Sequence, residues 1–221
     1  MSERNVPFLL NGSPAKRDNF VDRIVLSFAA NFRRKRFANL GGMLSGVTSI
    51  IDFGGTPSIW ESIDRRGVTL LNIDDQPVSP GFIAVKGNAC KTDFPDHSFD
   101  LAFSNSTIEH VGTFEDQKAF AEELCRVGKR IFCQTPARWF FFEPHYFTPF
   151  VSWFPWLLKK YWFVRYFTYY GLKWRPSREH VADFQSHLRL LNRSEMQLLF
   201  PSCRIHTERF CGMTKAYIAI R

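Results

Sequence analysis

Three short stretches of this 221-residue chain combine residue types and spacings that can do chemistry. The first is TSIIDFGGTPSIW, Thr48 to Trp60. A short apolar run ends in an acid, Asp52, a tight Gly54-Gly55 turn follows, and Pro57-Ser58 opens a helix. Glycines let a backbone come close to a ligand, and the first N–H groups of a helix have no partner within it. Such a turn is a site for a nucleotide-like ligand. The second stretch is Phe142-Glu143-Pro144-His145-Tyr146. An imidazole with an ordinary pKa near ~6.5 is a ready base, and Glu143 can orient His145 or hold a substrate hydroxyl. The alternative is that both residues pin the aromatic segment around them to the domain. The third is Glu109-His110, read mainly as a helix opening, with His110 as the alternative base. His180, Asp183 and His187 lie in a polar loop and form no pattern.

The elements that must position these residues follow from periodicity. Strands are predicted at 49–53, 68–73, 82–86, 99–104 and 130–135. Between them, helices are predicted from about 57 to 66 and from about 114 to 127, the second starting after Thr113 and stopping at Gly128. Alternating strands and helices imply a parallel sheet covered on both faces. In such sheets ligands sit beyond the carboxyl ends of the strands. Asp52, Asn72, Asn88 and Ser104 all fall at or just past strand ends, and four polar groups placed alike say more than any one. Residues 137–190 interrupt the alternation with a run that holds half of the aromatic side chains in the protein. A helix at about 194–200, capped by Ser194, and strands near 203–210 and 214–220 close the chain as an antiparallel hairpin at the sheet edge. Residues 1–44 read as a polar arm followed by a helix over 20–40 with the basic run Arg33-Arg34-Lys35-Arg36. The domain proper is 45–221.

On these residues the chain resembles a class I S-adenosylmethionine-dependent methyltransferase of the small-molecule type. IIDFGGTPSIW stands where that family has its glycine-rich first motif, and VTLLNID where its second strand ends beside the ribose. GNACKTDFPDHSFDLAFSNSTIEHVG resembles its stretch from the adenine loop through the fourth strand, and AEELCRVGKRIFCQTP the helix and fifth strand that follow. The resemblance implies a Rossmann-like three-layer αβα sandwich. Its sheet has seven mostly parallel strands, an antiparallel last strand and an insertion after strand five. It implies S-adenosyl-L-methionine as cofactor. Contacts would come from Asp52, Phe53, Gly54, Gly55 and Thr56, from Asn72, Ile73 and Asp74, from Asn88 and Ala89, and from Ser104, Asn105, Glu109 and His110. It also puts His145 and Glu143 beside the methyl end. Thr56 and Ser58 stand where later glycines are usual, and Asn72 and Asn88 where acids are common, although an amide can serve a hydroxyl or an amino group equally. A nicotinamide-type GxGxxG fails here at Thr56 and Ile59.

Composition narrows the partners. The formal charge of +8 invites nucleic acid, anionic membrane or an acidic substrate. The five cysteines include no CxxC pair, so neither a zinc site nor a disulfide framework is expected, and a reducing, cytoplasmic setting fits. No signal peptide and no run of ~18 apolar residues is seen. The aromatic segment reads three ways: a lid over a hydrophobic acceptor pocket, a surface against the inner face of an anionic membrane, or a helical hairpin packed on the sheet. Its Lys159, Lys160, Arg165, Lys173 and Arg175 alternate with aromatic residues. The sequence therefore reads as a methyltransferase for a small or lipid-linked acceptor at oxygen or nitrogen. The alternatives are a non-catalytic module of the same fold and an RNA methyltransferase. DNA-type motifs are absent after strand four, whereas no motif speaks against RNA.

Overall fold

The computed structural model describes residues 40–63, 65, 67–75 and 79–221. The arm and helix expected over 1–39 lie outside the described residues. A central strand, β1 (Ile50–Phe53), is buried along its whole length, as a strand covered on both faces requires. It pairs in parallel with β2 (Val68–Asn72) on one side and β4 (Phe99–Asn105) on the other. β3 (Phe82–Lys86) adds beyond β2, and β5 (Gly128–Pro136) adds beyond β4. Two tiny strands, β6 (Phe142–Glu143) and β7 (Thr148–Pro149), form a separate hairpin. The last two strands, β8 (Arg204–Phe210) and β9 (Met213–Ile220), complete a seven-stranded sheet in the order β3-β2-β1-β4-β5-β9-β8. β9 alone runs opposite to the other six strands of this sheet. This is the doubly wound sandwich that the sequence implies, with its antiparallel last strand.

Alternation along the strands divides the core. Ile51 and Phe53 face one side with Ala102, Phe120, Leu124, Val127 and Met196. Ile50 faces the other with Trp60, Leu70, Leu101, Phe103 and Phe132. Helix α1 (Pro57–Glu61) is shorter than predicted and buries Trp60. Helix α2 (Phe114–Val127) keeps the predicted bounds, because Thr113 and Asp116 form a reciprocal capping box.

Residues 137–190 carry a 3-10 turn, Val151–Trp153, and four α-helices: α3 (Pro155–Leu158), α4 (Tyr161–Phe167), α5 (Tyr169–Trp174) and α6 (Arg178–His187). Tyr146, Val164, Tyr170 and Val181 make a small core of their own. His180, Asp183 and His187 thus lie on a helix, not in a loop. Helix α7 (Arg193–Leu199) is capped by Asn192 rather than Ser194, because Glu195 lies three residues after Asn192 and closes a second capping box.

Candidate active site

The parallel strands all end on one edge, and hydrogen bonds tie their loops together there. Gly54 N donates to Leu71 O near the end of β2, and Gly87 N, just past β3, donates to Asn72 O, the last residue of β2. The Asn72 amide donates to Gly55 O at 3.0 Å, so the predicted ribose residue here braces the glycine turn. Ser104 is buried and donates to Phe53 O at 3.2 Å. Gly54 has φ +78°, and a side chain there would meet Thr107. A Cβ on Gly55 would stand 1.9 Å from Asp52 Oδ2. The turn therefore closes down on Asp52, and no larger residue fits.

Asp52 is 1 % exposed and accepts from Trp60 Nε1 at 2.7 Å. Burial pushes its pKa up to about 7, against the effect of that hydrogen bond. Trp60 as the partner of Asp52 escaped the sequence reading; its sole sign is an indole eight residues on, across a glycine turn. Around the turn, Phe53 is buried in the core, Thr56 Oγ1 lies 3.0 Å from Ser58 Oγ, and Asp74 is exposed. Ile73 is 72 % exposed although apolar. Asn88 is exposed and accepts from Cys90 N at 2.9 Å, which shapes the loop that also carries Ala89. Asn105 pairs with Gln134 at the ends of β4 and β5.

Past β4 a short 3-10 turn, Ile108–His110, turns Glu109 inward. Glu109 is fully buried and accepts from Thr135 Oγ1 at 3.0 Å, whereas its Oε1 has no hydrogen-bond partner among the described residues. Burial raises its pKa to about 7, and the nearby His145 works against the rise. The β6–β7 hairpin brings Glu143 and His145 to the same place. His145 Nδ1 lies 2.6 Å from Glu143 Oε1, and the His145 backbone N donates to that oxygen at 3.0 Å. Ser152 holds the other Glu143 oxygen at 3.3 Å. Burial works to lower the His145 pKa, but the Glu143 contact and the charge of Glu109 together outweigh it and the net direction is up. His145 Nε2 faces His110 Nε2 at 3.2 Å. Burial and the charge of His145 push the His110 pKa well down. Phe184 of α6 lies against both imidazoles. Two polar pairs 35 residues apart in sequence thus form one four-residue cluster, and neither Thr135, Ser152 nor Phe184 was foreseen in it.

Residues 60–130 match the family model described as a methyltransferase domain. A search of curated sequences finds no significant relative. Among solved structures, the magnesium protoporphyrin IX methyltransferase of Synechocystis PCC 6803 with bound SAH superposes with a TM-score of 0.53 at 9% identity, covering 94% of this chain and 90% of that one. This is the class I methyltransferase fold. The same methyltransferase with bound SAM gives a TM-score of 0.51 at 8% identity, over 94% of this chain and 86% of that one. The part that superposes on the [4+2]-cyclase SpnF, at 15% identity, covers 42% of this chain and only 40% of that one, with a TM-score of 0.36. Enzymes of this methyltransferase class use S-adenosylmethionine as the methyl donor. The residues here fit it: a side chain at Gly54 or Gly55 would run into Thr107 or Asp52, so the turn requires glycine, and the exposed Ile73 and Asn88 lie just beyond β2 and β3.

Proposed function

We propose that this chain transfers a methyl group from S-adenosylmethionine to an oxygen or nitrogen of a small or lipid-linked acceptor, with His145 taking the proton of the acceptor. The observation that carries the reading is the buried Glu143–His145 contact at 2.6 Å on the ligand edge of the sheet. Bound there, S-adenosylmethionine supplies a methyl on a sulfonium whose leaving group is already activated. Asp52, Phe53, Gly54, Gly55 and Thr56 would hold it from the first turn. Asn72, Ile73, Asp74, Asn88 and Ala89 would flank it on one side, and Ser104, Asn105, Glu109 and His110 on the other. The protein then has to align the acceptor and exclude water, and orientation alone accounts for much of the rate in such displacements. Glu143 accepts the Nδ1 proton of His145, which leaves Nε2 as the basic nitrogen. An acceptor hydroxyl takes the place of His110 at that nitrogen, gives up its proton there, and Glu143 stabilises the imidazolium.

His145→Gln tests this. Calorimetry should find SAH affinity within about twofold of wild type, and turnover should fall by roughly 10²–10⁴. Normal turnover would remove the base. The absence of both heat and thermal shift with either SAM or SAH would sink the enzyme reading and leave a regulatory or partner-binding module.

A second observation favours a lipid-linked acceptor at the inner face of a membrane. Trp153, Phe154, Trp156, Trp162, Tyr166 and Phe167 are all exposed on the 137–190 insertion. Lys159, Lys160, Arg165 and Lys173 lie among them. Among the described residues no helix is long and apolar enough to cross a membrane, so these rings would lie in the interface and the insertion would act as a lid. Co-sedimentation with anionic vesicles, weakened by salt, is the expected result. Salt-dependent retention on RNA without vesicle binding would instead support an RNA substrate.

A further inference from the structure

The cluster behind the proposed base contains more ligand atoms than a base needs. Glu109, His110 and His145 each offer one, and these three atoms lie within 4.8 Å of one another. The two imidazole Nε2 atoms are 3.2 Å apart. Glu109 is fully buried, and its Oε1 has no hydrogen-bond partner among the described residues. A buried, unpartnered carboxylate oxygen is costly, whether or not it is charged. The His145 Nδ1–H is taken by Glu143, which fixes the tautomer with a lone pair on Nε2. A carboxylate behind the far nitrogen is what orients a histidine ligand in metal sites.

The geometry points to a divalent first-row cation, with zinc as the type, bound by Glu109, His110 and His145. Two imidazoles and one carboxylate are the donor set for borderline cations rather than for calcium or magnesium. Zinc–ligand bonds of about 2.0–2.1 Å in a tetrahedron put ligand atoms about 3.3 Å apart, close to the separation of the two imidazole nitrogens. Three protein ligands leave a fourth position open, the arrangement of catalytic rather than structural zinc. Thr135 and Glu143 hold Glu109 and His145 from behind and are positioning residues.

The binding site stands on the convergence of these three groups and on the unpartnered Glu109 oxygen. Its consequence for chemistry rests on the methyl-transfer reading. With the cation bound His145 Nε2 would be a ligand, so the base role proposed for it above belongs to the cation-free protein. Glu109, His110 and His145 would hold the cation, and at its open position it would supply Lewis acidity toward an acceptor hydroxyl.

The experiment is a titration of chelator-treated full-length protein with Zn²⁺ and, separately, with Co²⁺. Expected are one Zn²⁺ per chain, a rise in Tm, and for Co²⁺ visible d–d bands without the near-ultraviolet band of a thiolate ligand. His110→Gln and Glu109→Gln should each weaken Zn²⁺ affinity at least tenfold, and Glu143→Gln should weaken it by about 10–100-fold. Each variant is checked for folding by its own unfolding transition. A thiolate band would place the cation on cysteines and overturn the proposal, as would wild-type-like affinity in folded His110→Gln. If the variants do not fold, the wild-type cobalt spectrum decides by the same criterion. SAH binding by calorimetry is measured alongside. Zinc failure with SAH binding intact defeats only this inference, and SAH failure with zinc binding intact defeats only the methyltransferase reading.

Discussion

At the residue scale the burial of Asp52 ties the stability of the fold to pH, and its hydrogen bond from Trp60 works against that effect. The Asp52 carboxyl has a pKa of about 7 in the folded chain against an ordinary value of 3.8. Between about pH 4 and 7 the native state holds a proton that the unfolded chain has lost. Stability is therefore full below that window and falls as pH rises through it, by about 4 kcal/mol at most from this group. Asp52→Asn should remove that share of the slope in urea unfolding at pH 5 and pH 8. Glu109, raised to about 7 as well, keeps the remainder. Trp60→Phe should destabilise by about 1–3 kcal/mol at pH 8, because it strips a buried carboxylate of its donor. Equal stability of Trp60→Phe and wild type at pH 8 would mean that the carboxylate finds water. The Glu143–His145 contact was legible in the sequence, since two polar groups with one residue between them stand out in an aromatic run. The burial of Glu109 was not. An acid after a strand looks the same whether it faces a ligand or Thr135.

At the element scale the ligand edge is a set of loops fastened to one another. The glycine turn leans on Asp52, Thr107 and Asn72, so Gly55→Ala must drive the Asp52 carboxylate out of its place. SAH affinity should fall at least tenfold in calorimetry, with the remaining protein still folded. On the other side, Arg126 of α2 donates to Phe94 O and pairs with Asp96 and Glu123, and so clamps the loop after β3 onto the helix. Arg126→Ala should speed amide exchange over 92–98 and leave β1 and β4 protected. Uniform loss of protection would mean that the clamp is part of the core. The bounds of α2 could be read from sequence because Thr113, Asp116 and Gly128 mark its ends. The cap of α7 could not, because Asn192 and Ser194 are both good caps. Only the reach of Glu195 back to Asn192 chooses between them. Helix α6 was missed for a related reason: one side rests on the satellite core, and the rest of its surface is polar.

At the scale of the whole molecule the sheet was legible and the insertion was not. Strand spacing and order carry a doubly wound sheet, whereas an aromatic run with prolines fits a lid, a membrane surface or plain packing alike. The structure sorts those side chains. Tyr146 and Tyr170 are core, while Trp156, Trp162 and Phe167 are 61%, 52% and 61% exposed. Replacing these three by serine should leave Tm within a few degrees, since exposed positions seldom contribute more than about 0.5 kcal/mol each. The same triple variant should lose binding to anionic vesicles. A collapse in Tm would show that the rings pack against something at home.

One feature of the sheet bears on how it is made. β9 lies between β5 and β8, and Arg221 exchanges backbone hydrogen bonds with Ile131 and reaches Cys125 O and Gly128 O. During translation β5 is finished long before the strand that covers its open side. At about 5–20 residues per second, the stretch from 136 to 213 takes roughly 4–15 s to emerge. Throughout that interval a nascent chain carries a bare strand edge and an incomplete apolar face. Those are the seconds in which a chaperone, or a neighbouring nascent chain, could claim it.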